Sequence, residues 1–195
     1  VMSVDNRGTP APRGRDWRKI IYLKHGVLPA REQAAAARAI ADRWAWVDSS
    51  RIGIYGWSGG GNVSMNAILR HPDVYSTAMP GAGLNHHRYY HAAFTERFLG
   101  LPQENPEAYE ATAPVNVAGN LRGNLLLIHG TGDPNVHYQN AEAMANALIA
   151  AKANVDKAAN NGVTPLLMAA QNGHLEIANA LIKAKANIDK AENNG

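Results

Sequence analysis

A chain of 195 residues can hold one medium-sized core or two small ones, and 46% hydrophobic with 18% charged residues is ordinary globular usage. No apolar run is long enough to span a bilayer, and a net charge of +3 from 19 basic and 16 acidic residues is too mild to point to nucleic acid, so neither is expected as a partner. The absence of cysteine excludes disulfides, thiolate catalysis and cysteine zinc sites, and it identifies no compartment.

Arg31 to Trp44 is alanine-rich, with Ala, Ile and Trp recurring at helical spacing, and predicts a helix. Arg51-Ile52-Gly53-Ile54-Tyr55 is a short β-favouring run that leads into Gly56-Trp57-Ser58-Gly59-Gly60 and then into a helix-compatible stretch, Asn62 to Leu69. Strand, Gly-x-Ser-x-Gly and helix together read as a nucleophile elbow: the glycines allow the sharp turn, the Ser58 hydroxyl stands at the carboxyl end of the sheet, and the Gly59 amide is free for an oxyanion. Ser76 to Leu84 is the next expected strand, weakened by Pro80, Gly81 and Gly83. His86, His87 and His91 invite a metal reading, with 87 and 91 on one helix face, but no carboxylate at ligand spacing completes it, so no metal and no cofactor is expected.

Asn124 to Ile128 predicts a fully buried strand, followed by His129-Gly130-Thr131-Gly132-Asp133. In the hydrolase chain order of Ser, then Asp, then His, Asp133 is the orienting acid; alone it reads equally well as a turn residue, and the upstream elbow favours the acid. Gln139 to Ala151 is an alanine-rich helix, and its tail recurs. Residues 145–162 and 178–195 match at fifteen of eighteen positions at a shift of 33, differing only at 150/183, 155/188 and 159/192. A period of 33, with Gly162-Val163-Thr164-Pro165-Leu166-Leu167-Met168-Ala169-Ala170 and Asn172-Gly173-His174-Leu175, resembles an ankyrin repeat, Leu167 standing where histidine is usual.

Residues 1 to about 150 resemble the catalytic domain of the prolyl oligopeptidase family, in its dipeptidyl peptidase IV-like branch, through Val4 to Thr9, Gly56 to Gly61, Thr95 to Pro102 and Leu127 to Asp133. The resemblance implies a serine peptidase that removes dipeptides from peptide substrates with Pro or Ala in second place. It makes Ser58 the nucleophile, Asp133 the acid and the Gly59 amide half of the oxyanion hole. Tyr90 and Phe94 match aromatic walls of the proline pocket, with Asn135 and Val136 beside it. Proline offers no N–H to read, so an apolar slot for its ring is what recognition requires. Phe94, Gly59, Pro134 and His87 depart from common family residues, as do Pro29 and Glu32 in the helix before the elbow.

The resemblance also places Val1 to Val4 inside a strand, with earlier sheet strands, a propeller and an oxyanion tyrosine upstream in relatives. The basic stretch Arg13 to Lys24, which contains Trp17, then falls in a solvated loop. After Asp133 only His137 and His174 remain as bases. The first is expected to bond locally and the second to stabilise the ankyrin turn, leaving Ser58 unactivated. The expected architecture is therefore an α/β fold: a partial α/β-hydrolase over residues 1–150, a parallel sheet with helices on both faces, then an ankyrin repeat and the start of the next over 151–195. The expected activity is that of a weak or inactive serine peptidase. The alternative is an interaction module that holds a protein partner through the ankyrin segment.

Overall fold

Short apolar runs alternating with alanine-rich helical periods build a parallel sheet in the computed structural model, which describes residues 1–10 and 12–190. The elements are α1 (Gly14–Lys19), α2 (Val27–Arg43), β1 (Gly53–Trp57), α3 (Gly59–Arg70), β2 (Thr77–Gly81), α4 (Ala92–Leu99), α5 (Pro106–Thr112), β3 (Asn124–Leu125), α6 (Gln139–Ala150), α7 (Pro165–Gln171) and α8 (Leu175–Lys183). Strand order is β1-β2-β3, all parallel, with Gly53 opposite Thr77, Trp57 opposite Gly81 and Thr77 opposite Asn124. The core lies under one face of this sheet. Alanines 30, 34 and 37 of α2 let it approach Met65, Ile68 and Leu69 of α3, and Ala78 of β2 and Met144 of α6 close the cluster.

The other face corrects the expectation of helices on both sides. Tyr55, Trp57, Met79, Leu126 and Ile128 alternate outward from the three strands, and all are exposed. Among the described residues the sheet has helices on one face. The expected fully buried strand is likewise half buried: Leu125 and Leu127 pack on the core while Leu126 and Ile128 face water.

Pro80 explains why regular β3 is only two residues long. Leu126 N–H donates to the Ala78 carbonyl (3.0 Å), Ile128 N–H to the Pro80 carbonyl (3.2 Å) and Ala82 N–H to the Ile128 carbonyl (2.8 Å). In this parallel register the Leu126 carbonyl should accept from residue 80, which as proline has no N–H. The ladder therefore breaks at Leu126 and resumes as a single bridge between Gly81 and Ile128.

Two smaller expectations also change. Val1 to Val4 forms no strand; its carbonyl end is held instead by Gln33 Nε2, which donates to the Val4 carbonyl (2.7 Å) and to Asn6 Oδ1 (2.9 Å). Glu32 fastens the same segment by accepting from Arg7 N–H at 2.8 Å and pairing with its guanidinium. Within the basic stretch Arg13 to Lys24, residues 14–19 are helical rather than loop, and the Arg13 guanidinium lies over the Trp17 ring.

The sequence repeat is a backbone repeat. At Ala151 and at Ala184, φ and ψ are −78° and 7°, and each N–H reaches back to the helix, to Ala147 and Ile149 or to Ala180 and Ile182. Lys152 and Lys185 follow at φ 61° and 65°. Asn154 Oδ1 then accepts from Asp156 N–H at 3.0 Å, and Asn187 Oδ1 from Asp189 N–H at 2.9 Å. Helix α6 thus carries the first copy of a helix end that α8 repeats, while its other side packs on the Pro114–Asn120 turn. The expected boundary at residue 150 falls at the end of α6. The second occurrence of the Asn-Asn-Gly word, 193–195, lies outside the described residues.

Candidate active site

Ser58 sits where β1 hands over to α3, and its backbone is forced. Its φ of 56° and ψ of −116° put a side-chain-bearing residue in a region that usually costs about 1–3 kcal/mol. Two close approaches hold it there. Ser58 N–H donates to the Gly81 carbonyl at 2.8 Å, which continues the β1–β2 ladder through the turn. A Cβ on Gly56 would meet the Gly60 carbonyl oxygen at 2.2 Å, so only glycine lets the returning helix lie against the strand end. The second forced glycine is Gly61 rather than Gly60: a Cβ there would meet the Gly81 carbonyl oxygen at 2.5 Å, whereas Gly60 has open space.

The first intrahelical bond of α3 runs from Asn62 N–H to the Ser58 carbonyl (3.1 Å), so the Gly59 amide precedes it at the positive end of the helix.

Asp133 lies on the loop after β3, at the same carboxyl edge as Ser58, with β2 between their strands. Its Oδ1 accepts the N–H groups of Asn135 (2.9 Å) and Val136 (3.0 Å), and these two bonds hold its carboxyl below the usual carboxylate range. Desolvation of the side chain, about a fifth of which is exposed, pushes the other way by less than these bonds. Asp133 thus caps its own turn, as the turn reading expects, with its carboxyl held in the ionised form.

His129 is the neighbour that motif reading passes over. Its Nε2 donates to the Val136 carbonyl at 2.7 Å and lies 3.7 Å from Asp133 Oδ2. Its side chain is 1% exposed, and Nδ1 is buried without a hydrogen bond among the described residues. Spacing of four residues across a glycine turn is the signal that could have linked it to Asp133.

The expected pocket residues converge. Tyr90 Oη donates to Asn135 Oδ1 at 2.9 Å, and the Tyr90 and Phe94 rings meet edge to face at 5.3 Å. Val136 is buried and contributes backbone, its amide to Asp133 and its carbonyl to His129, rather than a side-chain wall. Asn140 at the start of α6 holds this corner together: its Oδ1 accepts from the amides of Asn85 and His86, and its Nδ2 donates to the Tyr89 carbonyl.

The three histidines read as a metal candidate are dispersed. His87 lies in a 3₁₀ turn and His91 caps α4, so they share no helix face. His86 faces Glu110, while His87 Nε2 meets His25 Nδ1 at 3.1 Å. Thr112 Oγ1 donates to the Ala108 carbonyl (2.7 Å), so it accepts from His87 Nδ1–H (3.3 Å), which leaves His87 Nε2 to accept from His25 Nδ1–H. Burial pushes His25 down to about 4 and His87 to about 3, keeping both rings neutral. The His25 ring then packs against Phe94 at 5.5 Å and Phe98 at 4.9 Å, behind the pocket wall.

Neither remaining histidine bonds to Asp133 among the described residues. His137 Nδ1 accepts from Gln139 N–H (3.2 Å), the local bond expected of it. His174 stands at the N-terminal boundary of α8 without a side-chain capping bond, and its ring lies 5.2 Å from Tyr138, which lies 5.9 Å from His129. A cleft between the Ala118–Asn124 turn and the Ala151–Lys157 loop lies at the amino-terminal end of the sheet, away from Ser58.

Comparison with known proteins gives the family of the chain. Residues 1–189 match the model of the prolyl oligopeptidase family. A protein of Emericella nidulans named "Probable dipeptidyl peptidase 4" is 38% identical over 173 residues, covering 88% of this chain and 21% of that protein. The "Dipeptidyl peptidase 4" of Trichophyton equinum is 36% identical over 159 residues, covering 80% and 20%. The crystal structure of Porphyromonas gingivalis dipeptidyl peptidase 4 superposes with a TM-score of 0.74 at 35% identity, over 88% of this chain and 25% of that one. The chain spans about a fifth of the length of the curated relatives it matches.

Proposed function

Because the chain belongs to the prolyl oligopeptidase family, we propose that it carries the nucleophile half of a dipeptidyl peptidase IV-like serine peptidase site. Ser58 is its nucleophile, the Gly59 amide its oxyanion donor and Asp133 its acid. The observation that supports this reading is the strained backbone of Ser58, at φ 56° between a parallel strand and a helix start. Such strain persists at a site that needs an exposed hydroxyl, since a plain turn would relax it with glycine or asparagine. Tyr90, Phe94 and Asn135 form the wall for a small ring, which fits peptide substrates with Pro or Ala in second place.

Acyl transfer at this site would begin with attack of Ser58 Oγ on the peptide carbonyl. The developing oxyanion would be met by the Gly59 amide, and Asp133 would orient whichever imidazole removes the hydroxyl proton. His137 is engaged with Gln139 and His174 with Tyr138, so this chain by itself labels slowly or not at all. A fluorophosphonate probe followed by intact mass tests this on the chain beside Ser58→Ala and His174→Ala. Rapid labelling that Ser58→Ala abolishes would overturn the inactivity and keep the nucleophile; labelling that persists in Ser58→Ala would remove Ser58 from the site.

A second reading is favoured by one specific observation, the 33-residue backbone repeat from α6 to α8. Residues 151–190 would then be an ankyrin-type unit stacked on the shared helix α6, binding a protein partner with the sheet as scaffold. Loss of a partner on deletion of residues 151–195, with the Ser58 region still folded, would distinguish the two.

A further inference from the structure

The loop from His129 to Val136 carries the acid and one side of the pocket wall, yet little in its own backbone holds it. Gly130 and Gly132 have open space where a Cβ would stand, and the internal bond from Asp133 N–H to the Gly130 carbonyl is long, at 3.3 Å. The start of the loop is fastened to the sheet, because Ile128 N–H donates to the Pro80 carbonyl and the Ile128 carbonyl accepts from Ala82 N–H. Its end is tied back to that start by the His129 ring. The Val136 carbonyl can only accept, so Nε2 carries the proton and donates it at 2.7 Å, closing the loop across seven positions.

That bond stands at the head of a chain of contacts. With its carbonyl held, Val136 presents its N–H to Asp133 Oδ1 at 3.0 Å, and Asn135 N–H reaches the same oxygen at 2.9 Å. Asn135 Oδ1 in turn accepts from Tyr90 Oη at 2.9 Å. Asp133 Oδ2 takes no hydrogen bond among the described residues and lies 3.7 Å from His129 Nε2, which leaves it as the oxygen able to receive an imidazole N–H. We infer that His129 is a positioning residue: by holding the Val136 carbonyl, it sets the turn that aims the Asp133 carboxylate and, through Asn135, the Tyr90 side of the pocket. The inference rests on the reading of Asp133 as the acid and of Tyr90 and Asn135 as pocket wall. The burial of the ring supports it. The side chain is 1% exposed, and its Nδ1 has no hydrogen bond among the described residues. A buried polar ring satisfied at one nitrogen is less stable than an apolar side chain of similar size, so packing alone does not account for it, whereas the Nε2 bond does.

The test compares the full chain with His129→Gln and His129→Leu. Gln places an N–H near the position of Nε2 without the imidazole or its charge, whereas Leu fills space and donates nothing. The Asp133 carboxyl is titrated by carbon-13 NMR, and exchange is read at the Asn135 and Val136 amides. Those two amides hold the carboxyl below the usual range, and His129 is the titratable group that faces it. His129→Leu should therefore move the Asp133 titration up toward the ordinary carboxylate range and speed exchange at both amides about tenfold, as loss of one ordinary hydrogen bond allows. His129→Gln should keep both readouts at the values of the original chain. Unchanged titration and exchange in His129→Leu would overturn the inference. So would shifts of equal size in both variants, which would make the charge of the imidazole the cause rather than the turn. Where His129→Leu does not fold, nitrogen-15 spectra of the original chain decide: a slowly exchanging proton on Nε2 is expected, and a ring protonated at Nδ1 alone would overturn the inference. None of these readouts needs substrate, so failure of the peptidase reading appears separately, as fluorophosphonate labelling that persists in Ser58→Ala.

Discussion

At the scale of single residues, the site is built from conformations that other positions would avoid. Ser58→Gly should raise stability by about 1 kcal/mol, because glycine adopts φ near 56° without a Cβ clash, while Ser58→Ala should give no such gain. Urea midpoints of the three proteins measure this, and equal midpoints for Gly and Ala would mean that the elbow is unstrained. The buried His25 and His87 pair predicts a pH effect of defined sign. In the unfolded chain each ring titrates near 6.5, whereas burial holds them near 4 and 3 in the fold. Between about pH 6.5 and 4 the unfolded chain therefore binds protons that the folded chain refuses. Stability falls as pH falls, with a slope of about 1.4 kcal/mol per pH unit for each proton. The groups that face the pair are Phe94 and Phe98 of α4, Tyr109 and Thr112 of α5, and beyond them His86, Arg88 and Glu110, which pair among themselves. His25→Gln keeps a donor for His87 and should flatten the slope between about pH 7 and 5 by one proton; an unchanged slope would show that the pair is already charged or exposed.

At the scale of elements, the ladder gap beside Pro80 makes a local prediction. Pro80→Ala supplies the missing N–H, so the residue 80 amide should bond to the Leu126 carbonyl, regular β3 should reach Ile128, and that amide should become protected from exchange. Fast exchange there would mean that the register inferred from Ala78, Pro80 and Ala82 is wrong. The same element separates what sequence makes legible from what it hides. Strand, elbow and helix around Ser58 are legible because each depends on neighbours within a few residues: β-favouring Ile52 and Ile54, the glycines, and a helix-compatible run after them. The repeat is legible because identity at fifteen of eighteen positions, 33 residues apart, carries identical helix ends. His25 and His87 meet across 62 positions, and nothing local to either predicts the contact. Val1 to Val4 is placed in a strand by the resemblance, but it has no partner strand among the described residues and is held by Gln33 instead. His129 is hidden differently: it stands inside a recognisable motif, and only the fold shows that its Nε2 shares Val136 and Asp133.

At the scale of the whole molecule, the surface is larger than a single compact domain needs. A monomer of 20.9 kDa is expected to expose about 9,000 Å², and this chain exposes 11355 Å². Part of the excess is the outer sheet face, where Tyr55 is 62% and Trp57 56% exposed beside Met79, Leu126 and Ile128. A parallel sheet is ordinarily covered on both faces, so a contiguous apolar face of this kind drives association and dye binding. Charging it tests whether it is open in solution. Trp57→Lys with Leu126→Lys places two cations at side chains 56% and 55% exposed, the Trp57 ring lying over the Gly81 backbone, so the urea midpoint should hold, while hydrophobic dye fluorescence and the fraction of large species on gel filtration should both drop. The two readouts must move apart for the face to be open: an apolar side chain packed under a helix could not become lysine without a loss of about 2 kcal/mol or more. A collapse of the midpoint would therefore show a covered face, and with it a second helical layer over the sheet. Because the strands carry Ser58 and Asp133 at their carboxyl ends, the same measurement reports whether the site stands on a sheet supported from one side or from two.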